Sequence, residues 1–168
     1  MATEIERKFL VDADFLKNSV DLSQCRSQRL TQGYLCKGSE PSDSNGNTVR
    51  IRICGDTAVL TIKGPTQGIS RTEFEYPVPL EDAQVMVELC KGSLIDKTRY
   101  WIEVHGHIWE VDEFHGRNQG LWLAEIELES EFSGFIPPDW VGREVSDDPR
   151  YYNAALAVNP LANCRSAR

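Results

Sequence analysis

Most of the chain alternates apolar and polar residues with a period of two. Eight short runs do so, at residues 4–11, 29–36, 48–54, 58–63, 71–78, 95–105, 107–114 and 122–130. That period predicts half-buried strands. Turn residues separate them. Gly55-Asp56 and His105-Gly106-His107 read as tight hairpins, residues 64–68 as a Gly/Pro loop, and residues 38–47 as a polar loop. Helices are fewer. One short helix is expected within residues 12–22. A second is expected over 79–91, where Leu80, Ala83, Val87 and Cys90 share a face and Gly92 can end it. A third starts at Asp148-Pro149, a capping residue followed by a first-turn proline, and runs to about Val158. The tail after Pro160 is expected to fray.

The polar positions are unusual in kind. Residues i and i+2 of a strand point the same way. One face therefore carries Glu4, Glu6 and Lys8; another Arg50 and Arg52; others Lys63; Arg71, Glu73 and Glu75; Lys97 and Arg99; Glu110 and Asp112; and Glu125, Glu127 and Glu129. The opposite faces carry Ile5, Phe9, Val11, Ile51, Leu60, Val111, Ala124, Ile126 and similar residues. A solvated sheet face also alternates. Such a face normally mixes Ser, Thr, Gln and Asn with its charges, whereas these are almost wholly ionised. Like charges at i and i+2 repel unless opposite charge lies between them. Closure resolves this. Eight antiparallel strands form a barrel with no edges. Apolar faces then lie outward under the helices, and charges line a tunnel. The fold class expected is α+β, mainly β: a closed eight-stranded antiparallel barrel with a few helices outside.

Length and charge narrow the picture. The 168 residues suit one domain, with a core over about 3–158. A net charge of −8 argues against a general nucleic-acid or anionic-membrane binder. No run approaches the roughly 20 apolar residues of a membrane span. The N-terminus is charged where a signal peptide turns apolar, so a cytoplasmic location is expected. Cys25, Cys36, Cys54, Cys90 and Cys164 form no CxxC and are read as reduced thiols.

The tunnel lining has its own chemistry. Seven cations (Lys8, Arg50, Arg52, Lys63, Arg71, Lys97, Arg99) face a confined space. Arginine forks and lysine point charges suit phosphate oxygens. The carboxylates beside them would repel that anion unless a divalent cation intervenes, and oxygen ligation suits Mg²⁺ or Mn²⁺. The combination points to a phosphate chain bound as a metal complex, with hydrolysis or transfer at phosphorus.

In order, the chain also carries Glu4-Ile5-Glu6-Arg7-Lys8, Gln32-Gly33-Tyr34, Arg50-Ile51-Arg52, Thr61-Ile62-Lys63-Gly64 and Arg71-Thr72-Glu73-Phe74-Glu75. There follow Lys97-Thr98-Arg99-Tyr100, Trp109-Glu110-Val111-Asp112, Ala124 to Glu129, and Arg150-Tyr151-Tyr152-Asn153. Together these resemble the CYTH superfamily, the triphosphate tunnel metalloenzymes, in its short single-domain bacterial form. The resemblance implies a closed barrel that cleaves triphosphates, with two Mg²⁺ or Mn²⁺ ions. It implies Glu4, Glu6, Glu125 and Glu127 as metal ligands, with Asp112 and Glu129 as second-metal or water-positioning groups. It implies Lys8, Arg50, Arg52, Lys63, Arg71, Lys97 and Arg99 as triphosphate-binding groups. Glu4, Glu6, Lys8, Lys63 and Glu129 are the expected catalytic set. Glu73 and Glu75 are left between metal binding and arginine pairing. The segment 150–153 is expected to close one tunnel mouth.

The lead expectation is hydrolysis of inorganic tripolyphosphate to pyrophosphate and phosphate. The alternatives are class IV adenylate cyclase, another organic triphosphatase, and a non-catalytic polyphosphate-binding module. The expected partner is a small-molecule triphosphate, with no nucleic acid and no membrane. A homodimer could use the outward apolar faces. His105 and His107 are read as turn residues. Tyr34 is read either as packed or as orienting a tunnel lysine. Trp101, Trp109, Trp122 and Trp140 are read as core or helix-packing residues, with the alternative that one of them at a mouth stacks on a base or thiamine ring.

Overall fold

A computed structural model describes residues 2–36, 47–65, 70–90 and 92–161; of residues 2–4 and 36 it describes the backbone alone. The elements are β1 (Ala2–Val11), α1 (Ala13–Ser19), β2 (Arg26–Cys36), β3 (Thr48–Cys54), β4 (Thr57–Lys63), β5 (Ser70–Val78), α2 (Leu80–Glu88), β6 (Ile95–Val104), β7 (His107–Phe114), β8 (Trp122–Glu127), β9 (Val141–Glu144) and α3 (Asn153–Leu156). The expected polar loop at 38–47 lies almost wholly outside the described residues, as do Cys164, part of the 64–68 loop and most of the tail.

The sheet runs β5-β4-β3-β2-β6-β7-β8-β1, and β1 pairs back onto β5. Every pairing is antiparallel. The eight-stranded barrel is therefore closed, as the alternation predicts. β1 is the seam: Glu4 faces Arg71 of β5, and Lys8 faces Glu125 of β8. The two hairpins have the backbone their residues imply. Gly55 has φ +59° at the first turn, and His105 and Gly106 have φ +53° and +78° at the second. His105 is thus a turn residue, as expected, whereas His107 is already the first residue of β7.

The core lies outside the barrel. Phe9, Val11, Trp109, Val111, Ala124 and Ile126 project outward and pack with Leu16 of α1 and with Trp140. Trp109 is fully buried and meets Phe9, Phe135 and Trp140 edge-on, with centroids 5.6–5.7 Å apart. Asp12 caps α1 by accepting from the Phe15 N–H at 3.0 Å. α2 covers Ile51 and Ala58 with Ala83. Its end approaches β2 so closely that a Cβ on Gly33 would stand 2.5 Å from Cys90 Sγ, which explains the glycine between Gln32 and Tyr34.

A second apolar cluster stoppers one end of the barrel. Leu10, Tyr34, Ile95, Phe114 and Leu123, from five strands, meet Val145, Tyr151, Leu156 and Ala157 of the C-terminal segment. Asn118 fixes that segment by donating to the Leu156 carbonyl and accepting from the Leu161 N–H. The expected third helix is shorter than its sequence signals imply. Asp148 and Pro149 start a single 3₁₀ turn, Tyr152 breaks it, and α3 spans four residues.

Two further differences stand out. β9 was not foreseen; it pairs with Phe9 and Val11 of β1. β8 ends at Glu127, but the Leu128 N–H still donates to the Ile5 carbonyl of β1 at 2.8 Å, so Glu129 follows at the rim of the barrel, exposed as Glu127 is. No described helix is long and apolar enough to cross a membrane.

Candidate active site in the barrel lumen

Strand register arranges the inward side chains in rows across the wall. One row reads Arg26, Trp101, Glu110, Glu125, Lys8, from β2 through β6, β7 and β8 to β1. The next begins Gln28, Arg99, Asp112. On the other side Gln32 faces Arg52, and Tyr34, Arg50, Thr61 and Glu75 form a row. Lys63 faces Glu73, and Glu6 faces Glu127. The barrel thus brings together the expected cations and, among the described side chains, most of the expected carboxylates. Glu129 stands at the rim, one residue past the last contact with β1. Of Glu4 the structure gives only its backbone place on β1.

These charges are out of water. Lys8, Arg50, Lys63, Lys97, Arg99, Asp112 and Glu125 are all buried. Leaving any such ion unpaired would cost several kcal/mol, so pairing is dense. Asp112 uses both oxygens: Oδ1 accepts from Arg99 Nε at 2.7 Å, and Oδ2 accepts from Arg99 Nη2 at 2.8 Å and Lys97 Nζ at 2.5 Å. Arg99 also donates to Glu125 at 3.0 Å and to Glu110. Lys8 Nζ stands 2.9 Å from Glu125 and 3.9 Å from Glu6. Lys63 stands 2.9 Å from Glu73. Arg71 reaches Glu6 at 3.5 Å, and Arg50 reaches Glu75 at 3.3 Å.

The titration shifts follow this geometry. Burial pulls Lys97 down to about 8, outweighing the attraction of Asp112. It remains protonated at neutral pH, consistent with its short contact to Asp112. Burial works against the charged form of Glu125, but Lys8, Arg99 and Lys97 hold its carboxyl well below the usual range. Asp112 is likewise lowered, burial being outweighed by Arg99 and Lys97. Arg99 is carried well above its ordinary value by Asp112, Glu125 and Glu110 despite burial. Burial, and then the Arg52 charge, lower Arg50.

Stability should follow from these directions. Below the ordinary 3.8 and 4.5 of Asp and Glu, the unfolded chain binds protons that folded Asp112 and Glu125 still exclude. Unfolding then takes up protons, and stability falls as the medium turns acid. Between about 8 and 10.5 the unfolded chain binds the proton that folded Lys97 gives up, so the Lys97 contribution to stability rises with pH, while the Cys25, Cys54 and Cys90 thiols, raised by burial, contribute a fall above 9. Urea unfolding across both windows checks this. Lys97→Met should make the slope of stability against pH in the alkaline window more negative than in the wild type, and an unchanged slope would mean that Lys97 contributes nothing there.

Two observations speak to a ligand. Arg50 Nε is buried without a hydrogen-bond partner, which is what an anion-facing guanidinium leaves. Arg50 and Arg52 stand on one strand face, and among the described residues Arg50 reaches a carboxylate, Glu75, while Arg52 meets the neutral Gln32. The acidic side suits a hard cation in donor chemistry, since Glu6 faces Glu127 and Glu110 faces Glu125. Like charges so paired call for an intervening cation. Among the described residues no three carboxylates form a ready-made cluster. Glu125 and Glu110 are turned onto Lys8 and Arg99 instead.

Several lining residues escaped the charge-based reading. Gln32 is fully buried; its Nε2 donates to the Tyr34 hydroxyl at 3.0 Å, and its Oε1 accepts from Arg52 Nε at 3.3 Å. Thr61 donates to Glu75 and accepts from Arg50. Asn153 accepts from Lys97 at 3.4 Å. The Tyr152 ring lies 5.6 Å from Lys8 Nζ. Trp101 departs from the core reading and takes the alternative left for one tryptophan, a place on the inward face: it lies two residues from Arg99 and donates to Glu110 at 3.0 Å. The other three tryptophans are buried in the outer core.

The comparisons with known proteins agree with this geometry. A model of the CYTH domain matches residues 2–152. The chain is 44% identical over 164 residues to an inorganic triphosphatase of Acetivibrio thermocellus, covering 97% of this chain and 98% of that one. It is 38% identical over 160 residues to an inorganic triphosphatase of Nitrosomonas europaea, covering 94% and 98%. Among solved structures it resembles an inorganic triphosphatase with TM-score 0.64 and 35% identity, over 94% of this chain and 96% of that one. A putative adenylate cyclase from Bacillus halodurans shares the fold at TM-score 0.59 but only 17% identity, over 78% and 84% of the two chains. A closed barrel lined by charge, matched along almost its whole length, therefore has a plain reading: the chain belongs to the CYTH domain family.

Proposed function

We propose that this protein hydrolyses inorganic tripolyphosphate to pyrophosphate and phosphate inside the barrel, with divalent metal, Mg²⁺ or Mn²⁺, as cofactor. The observation that carries the reading is a lumen holding buried cations on one wall and paired glutamates on another. A binding module for an anion gains nothing from those glutamates. The relatives at 44% and 38% identity are both named inorganic triphosphatases.

Each part of the lining has a role in this proposal. Arg50, Arg52, Lys63 and Arg71 hold the phosphate chain and offset its charge. Lys8 stands between this wall and the glutamates and holds Glu125. Glu6, Glu125 and Glu127, with Glu4 beside Arg71 in register, would hold the metal, and Glu129 would take part from the rim. Asp112 serves instead as counter-ion to Lys97 and Arg99, because both its oxygens are spent on them. The metal supplies Lewis-acid polarisation of phosphoryl oxygens and a more acidic bound water. Water adds to phosphorus, a bridging P–O bond breaks, and one proton leaves with the products.

Phosphorus NMR of the protein with Mg²⁺ and equal tripolyphosphate and ATP tests this. Tripolyphosphate should decay to pyrophosphate and phosphate with ATP spared. Cyclic AMP plus pyrophosphate would make the protein a cyclase. Tight binding without turnover in either metal would make it a binding module. Arg52→Ala should raise the KM for tripolyphosphate about tenfold or more, with a smaller fall in kcat. An unchanged KM would remove Arg52 from the substrate-binding wall.

A further inference from the structure

Trp101 is out of character with the lumen. Every neighbour in its row except this one carries charge: Arg26, Glu110, Glu125 and Lys8. An indole offers a phosphate chain one N–H donor, and here that donor is already used on Glu110 Oε1 at 3.0 Å. One face of the ring is also covered, with the Arg26 guanidinium carbon 4.3 Å from its centroid. Trp101 is therefore a rigid bulk held on two sides, with no polar atom to spare for substrate.

Its place in the barrel gives that bulk a use. The apolar stopper closes the end where β6 and β8 begin and where β1, β2 and β7 finish. Trp101 stands toward the other end, three residues from the end of β6, and Glu110 beside it is partly open to solvent. A phosphate chain entering opposite the stopper leads with a bare phosphoryl group. Anything organic attached to its other end trails beside Trp101.

We propose that Trp101 is a specificity-determining residue. Its indole, clamped by Arg26 and Glu110, narrows the open mouth and disfavours triphosphates that carry an organic group. The proposal rests on the inorganic-substrate reading above. Shape alone typically gives discrimination of about 10–200-fold, so the effect should be of that order.

The test compares kcat/KM for tripolyphosphate and ATP, each with Mg²⁺, in wild type, Trp101→Ala, Trp101→Phe and Arg26→Ala. Trp101→Ala should raise the ATP-to-tripolyphosphate ratio about tenfold or more, through a lower KM for ATP, with tripolyphosphate changed less than about threefold. Trp101→Phe keeps the bulk and loses the N–H, and should stay within about threefold of wild type. Arg26→Ala unclamps the ring and should relax the ratio by an intermediate amount. If the alanine variant does not fold, Trp101→Leu takes its place. A ratio that stays constant or falls would overturn the proposal; a fall would mean that the indole stacks on the base. Equal relaxation in the Phe and Ala variants would also overturn it, since the Glu110 bond and not the bulk would then be at work. Wild-type protein that leaves tripolyphosphate intact would instead overturn the functional reading, whatever the ratio.

Discussion

Asp112→Ala should be the most destabilising single substitution in the lumen. It would strand Lys97 and Arg99, both buried, without the carboxylate that accepts from each. Breaking a buried ion pair by removing one partner costs about 3–5 kcal/mol. For a chain of this size that lowers the melting temperature by roughly 10 °C or more. Glu125 offers partial compensation, since Arg99 Nη2 already donates to it at 3.0 Å. Lys97 has a weaker recourse in Asn153 at 3.4 Å. Arg99 should therefore stay charged, while Lys97 becomes easier to deprotonate. Calorimetry and urea unfolding would measure the loss. A cost under about 1 kcal/mol would mean that Glu125 alone can hold both cations, and Asp112 would then be free for another role.

Glu127→Gln should be nearly silent in stability and severe in turnover. Glu127 is exposed at the end of β8, where it pairs in register with Glu6. The amide keeps the side chain's shape and removes the charge that a hard cation requires. Residues that merely hydrogen-bond to a metal's ligands already cost about 10–100-fold when mutated, so loss of a ligand itself should cost about 100-fold or more in kcat. The metal concentration for half activity should rise as well. Calorimetric binding of tripolyphosphate without metal should change little or tighten, because one repelling charge is gone. Full activity in the variant would remove Glu127 from the metal site.

Much of this was legible in the sequence, for a definite reason. A barrel with an ionised lumen imposes a two-residue period on every strand, and the inward set can be read by parity alone. The same parity places Trp101 with Lys97 and Arg99, and Gln32 with Tyr34, on inward faces. The error over Trp101 came from residue type overriding position. Other features were not readable. β9 is four residues long and carries no alternation that marks it as a strand. Asn153 meets Lys97 only because the C-terminal segment folds across the barrel end. Charge counting could list Asp112 among the acids, but which acids are spent on cations depends on cross-strand register. Alternation also gives no sign of where a wall ends: Leu128 still bonds to Ile5 of β1, and Glu129 after it is exposed at the rim.

The seam strand sets a condition on how this molecule comes into being. β1 is made first, yet its pairings are with β5, β8 and β9, so that Glu6 waits for Glu127 and Phe9 for Glu144. Ring closure thus joins residues more than a hundred positions apart, the kind of topology that folds slowly. A chain still emerging from the ribosome holds an open curl of strands, with the edges of β1 unpaired. Its lumen charges then lie in water, where they are least costly, and they are buried together only when the last strands arrive.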